Sequence, residues 1–352
     1  MLTNNKNKIR VAMWGFGAMG SGITKTLLSK QGIEITGVCD NHPERVGKSV
    51  YELLSMDRTD NKDIIIKATI DEVLADPADI CVIAINSFVE KVVEPIIHVL
   101  EKKINVITIA EEMAYPQSKY PELSQKMDEA AKANGVTVLG TGINPGLVMD
   151  LLAICLSGAM VDVESVLCRR VNSLSPFGEA VMHEQGVGVT VEEFEKGMKD
   201  GTMTGHVGFA ESVGMISKAL GLGVDGFEQQ MSPIVTTVDR KSPYGFAAAG
   251  NVAGVDMTGQ GLRDGKVVID MQHPQQIEPE LENVFTGDYI VLKGNPDISM
   301  EIKPEIGGGV GTIAMCVNCI PHVINARPGL KTMIDIPVPH AIMDDFRNHL
   351  DD

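Results

Sequence analysis

The feature that most constrains the fold is a glycine-rich hexapeptide near the start of the chain. Residues 9–14 form a short apolar run typical of a buried strand, and directly after it come Gly15, Phe16, Gly17, Ala18, Met19 and Gly20. A helical pattern then continues to residue 30, and the next predicted strand, 33–39, ends at Asp40. A G-x-G-x-x-G pattern between a strand and a helix, with an acidic residue about 20 positions later, is the fingerprint of a dinucleotide-binding βαβ unit. The sequence therefore predicts that this part of the chain binds NAD or NADP.

Each glycine of the fingerprint has its own expected function. Gly15 permits the tight turn, Gly17 lets the pyrophosphate approach the backbone, and Gly20 lets the helix pack close to the strand. The unpaired amides at the helix N-terminus attract phosphate. Asp40 is expected to accept hydrogen bonds from the adenosine ribose, which favours NAD. Arg45 could hold the 2′-phosphate of NADP, so both cofactors stay open.

Strand and helix patterns alternate over the first part of the chain. Strands are predicted at 64–66, 80–85, 104–109 and 136–139, with helices at 43–54, 70–75, 88–102 and 121–133. Such alternation indicates an α/β doubly wound parallel sheet, so residues 1–143 are predicted to form a Rossmann domain. Residues 144–352 read as an α+β domain with a mixed or antiparallel sheet for substrate binding and dimerisation. It starts with a helix over 146–156, and its final helices, about 310–350, are candidates to pack back on the Rossmann domain.

Composition excludes several classes of function. The 352 residues include 30 Lys and Arg against 47 Asp and Glu, a net charge of −17, which disfavours binding to nucleic acid or anionic membranes. No apolar stretch approaches the length of a membrane span, and residues 1–10 lack the apolar core of a signal peptide, so a cytoplasmic location is expected. Cys316 and Cys319 form a C-x-x-C without a second pair or partner histidines, so no metal site is predicted. G-x-S-x-G and P-loop motifs are absent.

Two further strand ends are expected to line the nicotinamide half of the cofactor, because ligands bind at the carboxyl ends of parallel strands. One carries Ile85, Asn86 and Ser87, and the other carries Thr108 and Ala110.

An acidic pair, Glu111 and Glu112, follows the second of these strand ends. A carboxylate beside the nicotinamide is suited to act as a base toward an amine substrate. Neighbouring side chains diverge, so only one of the two is expected to face the substrate.

Candidate substrate-binding residues lie beyond the Rossmann domain. Asn144 belongs to the glycine-rich loop 140–146 at the predicted domain junction, where pockets are common. Arg169 and Arg170 are candidates for clamping a substrate carboxylate. His183 and His206, in glycine-containing segments, complete the set.

Several segments together resemble the 2,4-diaminopentanoate dehydrogenase family. They are GFGAMG with Asp40, residues 108–116 (TIAEEMAYP), 140–146 (GTGINPG), 205–208 (GHVG) and 317–321 (VNCIP). The resemblance implies a fold similar to dihydrodipicolinate reductase, a homodimer, and Asn318 among the cofactor-binding residues. It also implies NAD(P)-dependent oxidative deamination of 2,4-diaminopentanoate to 2-amino-4-oxopentanoate and ammonia, in ornithine fermentation.

Related families differ at the same segment. Dihydrodipicolinate reductases carry paired histidines, which this chain lacks, and homoserine dehydrogenases carry a lysine after the corresponding strand. Aligning residues 111–113 with the Glu-Lys-Pro of sugar dehydrogenases puts Glu112 at the lysine position, which favours Glu112 slightly over Glu111. Two alternatives stay open: a related dehydrogenase for another amine or an amino-alcohol or semialdehyde, and a non-enzymatic NAD(P)-sensing protein.

Overall fold

The computed structural model describes residues 7–58 and 63–351; the first six residues of the N-terminal segment lie outside this range. The chain forms two compact units. The first combines the chain up to Ile143 with the segment from Gly308 onward, and the second is Asn144–Gly307.

Helices and strands are numbered here in chain order. The helices are α1 Ala18–Leu28, α2 Val50–Leu53, α3 Ile70–Val73, α4 Val89–Glu101, α5 Pro121–Asn134, α6 Leu151–Ser157, α7 Glu179–Glu184, α8 Val191–Asp200, α9 Phe209–Leu220, α10 Gly308–Asn318 and α11 Ile320–Asn325. The strands are β1 Ile9–Trp14, β2 Ile33–Cys39, β3 Ile80–Ile83, β4 Asn105–Thr108, β5 Thr137–Gly140, β6 Asp162–Ser173, β7 Gly226–Val235, β8 Arg240–Lys241, β9 Phe246–Ala247, β10 Val252–Arg263, β11 Lys266–Gln276, β12 Gly287–Asn295, β13 Ile298–Ile302 and β14 Gly329–Lys331.

The first unit is built on a parallel sheet with the order β14-β5-β4-β3-β1-β2. Strand β3 is buried along its whole length, as expected for a central strand covered by helices on both faces. Because all strands run the same way, the segments after β1, β3 and β4 meet at one edge of the sheet. This edge carries the glycine fingerprint and the acidic pair.

Local patterns mispredicted four details. Residues 64–66 form no strand, only an isolated bridge between Ser49 and Ile65, and the helix expected over 43–54 is reduced to α2. Strand β14 was not predicted; it comes from the C-terminal segment and pairs with β5. The helix predicted from residue 146 begins only at Leu151, because the Asp150 side chain caps it there.

The second unit is built on a mixed sheet with the order β13-β12-β6-β11-β10-β7. Gln272 pairs with Arg169, so these two side chains share one face, and Arg170 and His273 lie on the other. Helix α9 packs on the His273 face, where Phe209 fills the space above Gly259. Alternation along the strands thus assigns each polar side chain to one of two separate environments.

No helix in the part of the chain that the structure describes combines the length and apolar character needed to cross a membrane.

Candidate active site

The fingerprint loop has the backbone geometry that a dinucleotide needs. Gly15 has φ +103°, and a Cβ there would lie 2.4 Å from the Ala84 carbonyl oxygen; a Cβ on Gly20 would lie 2.0 Å from the Gly15 carbonyl oxygen. A Cβ on Gly17 would meet nothing within 4 Å. Packing therefore requires glycine at positions 15 and 20, whereas the space in front of Gly17 is open to a ligand.

The start of α1 is suited to bind a phosphate group. Gly17 is its N-cap without a side-chain cap, and the first turn contains no acidic residue. Ala18 and Met19 lie in that first turn with exposed or half-buried side chains, while Phe16 is buried. The free amides and the helix dipole at this end favour an anion.

The Asp40 carboxylate lies beside this loop. It accepts hydrogen bonds from the Phe16 amide (2.7 Å) and the His42 amide (2.8 Å), and Arg45 Nη1 lies 3.2 Å from Oδ2. Burial raises its pKa, but the two amides and Arg45 outweigh burial and leave the pKa lowered. Asp40 is therefore ionised with acceptor capacity left for hydroxyl groups, and Arg45 offsets its charge.

The residues predicted to line the nicotinamide fall into two groups. Ile85 and Asn86 are exposed and Ser87 is half-buried, so all three can meet a ligand. Thr108 has no exposed surface: its hydroxyl donates to the Ile83 carbonyl (2.9 Å) and accepts from the Ala110 amide (3.2 Å). Thr108 thus holds the strand end, and the contact of Thr108 and the equally buried Ala110 with the cofactor stays a prediction.

Asn318, at the end of α10, was also predicted to bind the cofactor. Its side chain is half-buried, and its Oδ1 accepts a hydrogen bond from the Ile342 amide (3.3 Å). Cys316 and Cys319 nearby are buried free thiols, and burial raises the pKa of Cys319 to about 12. Within residues 7–58 and 63–351, no group of three or more His, Cys, Asp or Glu is arranged to hold a metal ion.

The acidic pair sits on one turn of 3-10 helix, Glu111–Ala114, that packs tightly on β5. A Cβ on Gly140 would lie 2.0 Å from the Met113 carbonyl oxygen. Glu112 is only 3% exposed; its Oε2 accepts from the Val89 amide at the start of α4 (2.9 Å), and Lys119 Nζ lies 3.2 Å from Oε1. Glu111 is half-buried and keeps exposed surface. Glu111 is thus the more exposed of the two carboxylates, and which of them acts as the base stays a prediction.

A second polar cluster lies on the α9 side of the sheet in the second unit. His273 Nε2 lies 2.8 Å from Asn172 Oδ1, and His273 Nδ1 lies 3.4 Å from Asn144 Nδ2. The His206 ring contacts His273 edge to face, with 4.7 Å between ring centroids. Burial, together with the nearby Arg170 guanidinium, lowers the pKa of His206 to about 3. The cluster is therefore uncharged at neutral pH.

The loop that carries Asn144 is held by a buried carboxylate. Asp150 Oδ2 accepts from the Gly146 amide (2.8 Å) and the Ser212 hydroxyl (2.9 Å), and Oδ1 accepts from the Leu151 amide (2.6 Å). Burial raises the pKa of Asp150 although these three donors lower it. The Asn144–Pro145 bond is cis, and Pro145 packs against Gly208.

Arg169, Arg170 and His183 do not join this cluster. Arg169 lies on the opposite face of the sheet, where it lines a cavity of about 630 Å³ with Tyr289 and Lys303. Arg170 is on the correct face, but it is bound to the Asp288 carboxylate and to the Ile306 carbonyl oxygen (2.6 Å). His183 is exposed near the end of α7. The structure therefore does not bring Arg169 together with Asn144 and His206, and the role of Arg169 in substrate binding stays a prediction.

Sequence reasoning missed His273 and Asn172. Both lie in strands among buried neighbours. A polar side chain on the buried face of a strand is unusual, and this feature could have identified them from the sequence.

Comparison with known proteins agrees with this architecture. Residues 147–352 match the family described as 2,4-diaminopentanoate dehydrogenase C-terminal domain. A 2,4-diaminopentanoate dehydrogenase of Acetoanaerobium sticklandii is 56% identical over 342 residues, which cover 97% of this chain and 97% of the relative. An amine dehydrogenase of Streptomyces virginiae is 24% identical and covers 95% of this chain and 98% of its own. The structure of the Mycobacterium smegmatis amine dehydrogenase superimposes with a TM-score of 0.84 at 26% identity, covering 97% of this chain and 99% of that one.

The chain belongs to the 2,4-diaminopentanoate dehydrogenase family. It is therefore an enzyme, an oxidoreductase of the amine dehydrogenase kind, and its cofactor is NAD or NADP. A non-enzymatic sensing protein is no longer a competing interpretation.

Proposed function

We propose that this enzyme oxidises the C4–amine bond of 2,4-diaminopentanoate, giving 2-amino-4-oxopentanoate and ammonia. The observation that carries the proposal is the 56% identity over 97% of the chain to a protein named for this substrate. Ornithine fermentation, a cytoplasmic location and a homodimer belong to the same proposal.

The cofactor proposal rests on the loop geometry. The open space at Gly17 and the uncapped amides of α1 fit the pyrophosphate, and the Asp40 carboxylate fits the ribose hydroxyls. The ion pair with Arg45 weakens the repulsion that Asp40 alone would exert on a 2′-phosphate. We therefore propose that both NAD and NADP are used, with the nicotinamide accepting the hydride.

We propose Glu111 as the catalytic base. An alkylammonium with a pKa near 10 must lose a proton before hydride can leave the adjacent carbon. Glu111 is half-buried and keeps exposed surface from which to take that proton, whereas Glu112 is only 3% exposed. Glu111 then releases this proton to solvent, removes another from the water that attacks the C4 iminium, and returns that proton to the nitrogen as ammonia leaves. General acid–base catalysis of this kind contributes about 10²–10⁴-fold.

The test is a steady-state assay of the purified enzyme with 2,4-diaminopentanoate and each cofactor separately. A parallel panel contains other diamines, amino-alcohols and semialdehydes, and ammonia is measured alongside NAD(P)H. We expect the highest kcat/KM for 2,4-diaminopentanoate with ammonia released. A higher kcat/KM for an amino-alcohol or semialdehyde, without ammonia, would contradict the proposal.

A further inference from the structure

A line of hydrogen bonds leads from a main-chain carbonyl to the Asn144 side chain. Asn172 Nδ2 donates to the Ser173 carbonyl oxygen (3.3 Å), and Asn172 Oδ1 faces His273 Nε2 (2.8 Å). His273 Nδ1 then faces Asn144 Nδ2 (3.4 Å). Strand pairing of β6 with β11 aligns these groups, because Asn172 and His273 lie on the same face of the sheet.

The direction of every hydrogen bond in this line follows from its fixed end. A carbonyl oxygen only accepts, so Asn172 must direct its NH₂ to Ser173 and its Oδ1 to His273. His273 is buried, and burial with the nearby His206 and Arg170 holds its pKa well below 6.5, so the ring is neutral. A neutral imidazole has one donor and one acceptor. Nε2 therefore carries the proton, and Nδ1 accepts from the Asn144 NH₂.

The Asn144 carbonyl oxygen is consequently left as an acceptor directed away from His273. Asn144 is 9% exposed, and within residues 7–58 and 63–351 its side chain makes the hydrogen bond to His273 through Nδ2, which leaves Oδ1 as an available acceptor. His206 Nε2, in the ring that contacts His273, is buried without a partner in the described chain. An unpaired buried polar atom is costly, so His206 Nε2 indicates a polar group supplied by a ligand, and Asn144 Oδ1 is a second acceptor in the same cluster.

We propose that Asn144 Oδ1 binds the second, non-reacting amino group of the substrate, and that Asn172 and His273 are positioning residues that keep this oxygen turned outward. The inference rests on the proposed function. The reacting amine needs a carboxylate base, and the carboxylate that holds the Asn144 loop, Asp150, already accepts from three donors. An uncharged acceptor suits the amino group that must stay protonated and unreacted. An acceptor oxygen also disfavours a carboxylate at this position.

The test compares kcat/KM for 2,4-diaminopentanoate with that for 4-aminopentanoate, which lacks the second amino group. Wild-type enzyme is expected to prefer the diamino acid at least tenfold. His273→Phe and Asn172→Leu should lower kcat/KM for the diamino acid roughly 10- to 100-fold, mainly through KM, the loss expected when a buried polar group is left unpaired. The value for 4-aminopentanoate should change far less. His98→Phe, at a half-buried histidine outside this cluster, serves as the matched histidine control.

A spectroscopic readout covers the case in which the variants do not fold. The ¹⁵N shifts of His273 in the intact wild-type enzyme should report a neutral ring protonated at Nε2. Protonation at Nδ1 would overturn the inference, as would equal kcat/KM for the two substrates in wild type. Absence of turnover with 2,4-diaminopentanoate would instead overturn the proposed function itself, and this inference with it.

Discussion

The acidic pair gives the sharpest prediction, because the two neighbouring carboxylates have different surroundings. Replacing Glu112 by Gln removes a buried negative charge from the N-terminus of α4 and from Lys119. A hydrogen bond from an amide to a charged acceptor contributes about 1.5–3 kcal/mol. The helix dipole adds about 0.3–1 kcal/mol. Lys119 is 39% exposed, so its ion pair adds at most about 1 kcal/mol.

Glutamine can still accept from the Val89 amide, so we expect Glu112→Gln to lower the free energy of unfolding by about 1–2 kcal/mol rather than by the full sum. Its turnover should remain within about tenfold of wild type, because a positioning error is smaller than loss of the base. Glu111→Gln should reduce kcat at least 10²-fold, because it removes the proposed base.

The assay measures urea unfolding and steady-state kcat for wild type and both single variants, with cofactor binding as the check on the Rossmann unit. Cofactor affinity should persist in both variants. Our assignment is refuted if Glu112→Gln abolishes turnover at unchanged stability while Glu111→Gln remains active.

Three further predictions concern the cofactor loop and the buried histidines. Arg45→Ala should lower kcat/KM with NADP more than with NAD, since it leaves Asp40 uncompensated against a 2′-phosphate; an equal loss with both cofactors would count against this role. Gly17→Ala should weaken cofactor binding about tenfold at unchanged stability, whereas Gly20→Ala should destabilise the fold, because only the Cβ at position 20 meets protein atoms. Calorimetry measures the cofactor affinity and urea unfolding the stability, and the reverse pattern would contradict this prediction. Between about pH 6 and 3 the unfolded chain binds a proton at His206 that the folded protein does not bind. Stability should therefore fall on acidification by up to about 1.4 kcal/mol per pH unit, and His206→Phe should flatten this slope; an unchanged slope would show that His206 titrates normally.

The cofactor loop could be predicted from sequence because its determinants are local. Turn, helix start and close packing at Gly15, Gly17 and Gly20 depend on residues within one βαβ unit, and Asp40 follows at a fixed spacing. The pattern of alternating strands and helices identified the parallel sheet for the same reason. Its C-terminal strand β14 escaped prediction because it pairs with β5 from far along the chain.

The second polar cluster could not be predicted, because it depends on pairing between distant strands. His273 and Asn172 are 101 residues apart and meet only through the register of β6 with β11. The same register separates Arg169 from Arg170, which the sequence alone treats as equivalent neighbours. The roles of Glu111 and Glu112 were undecided for a similar reason, since only the packing of their turn shows which carboxylate reaches the α4 amide.

The most direct test of the account is the stoichiometry of the reaction with 2,4-diaminopentanoate, measured for wild type and Glu111→Gln side by side. We predict one ammonia for each NADH or NADPH formed by wild type, and a loss of both in the variant. Formation of NAD(P)H without ammonia, or full ammonia release by the variant, would contradict it.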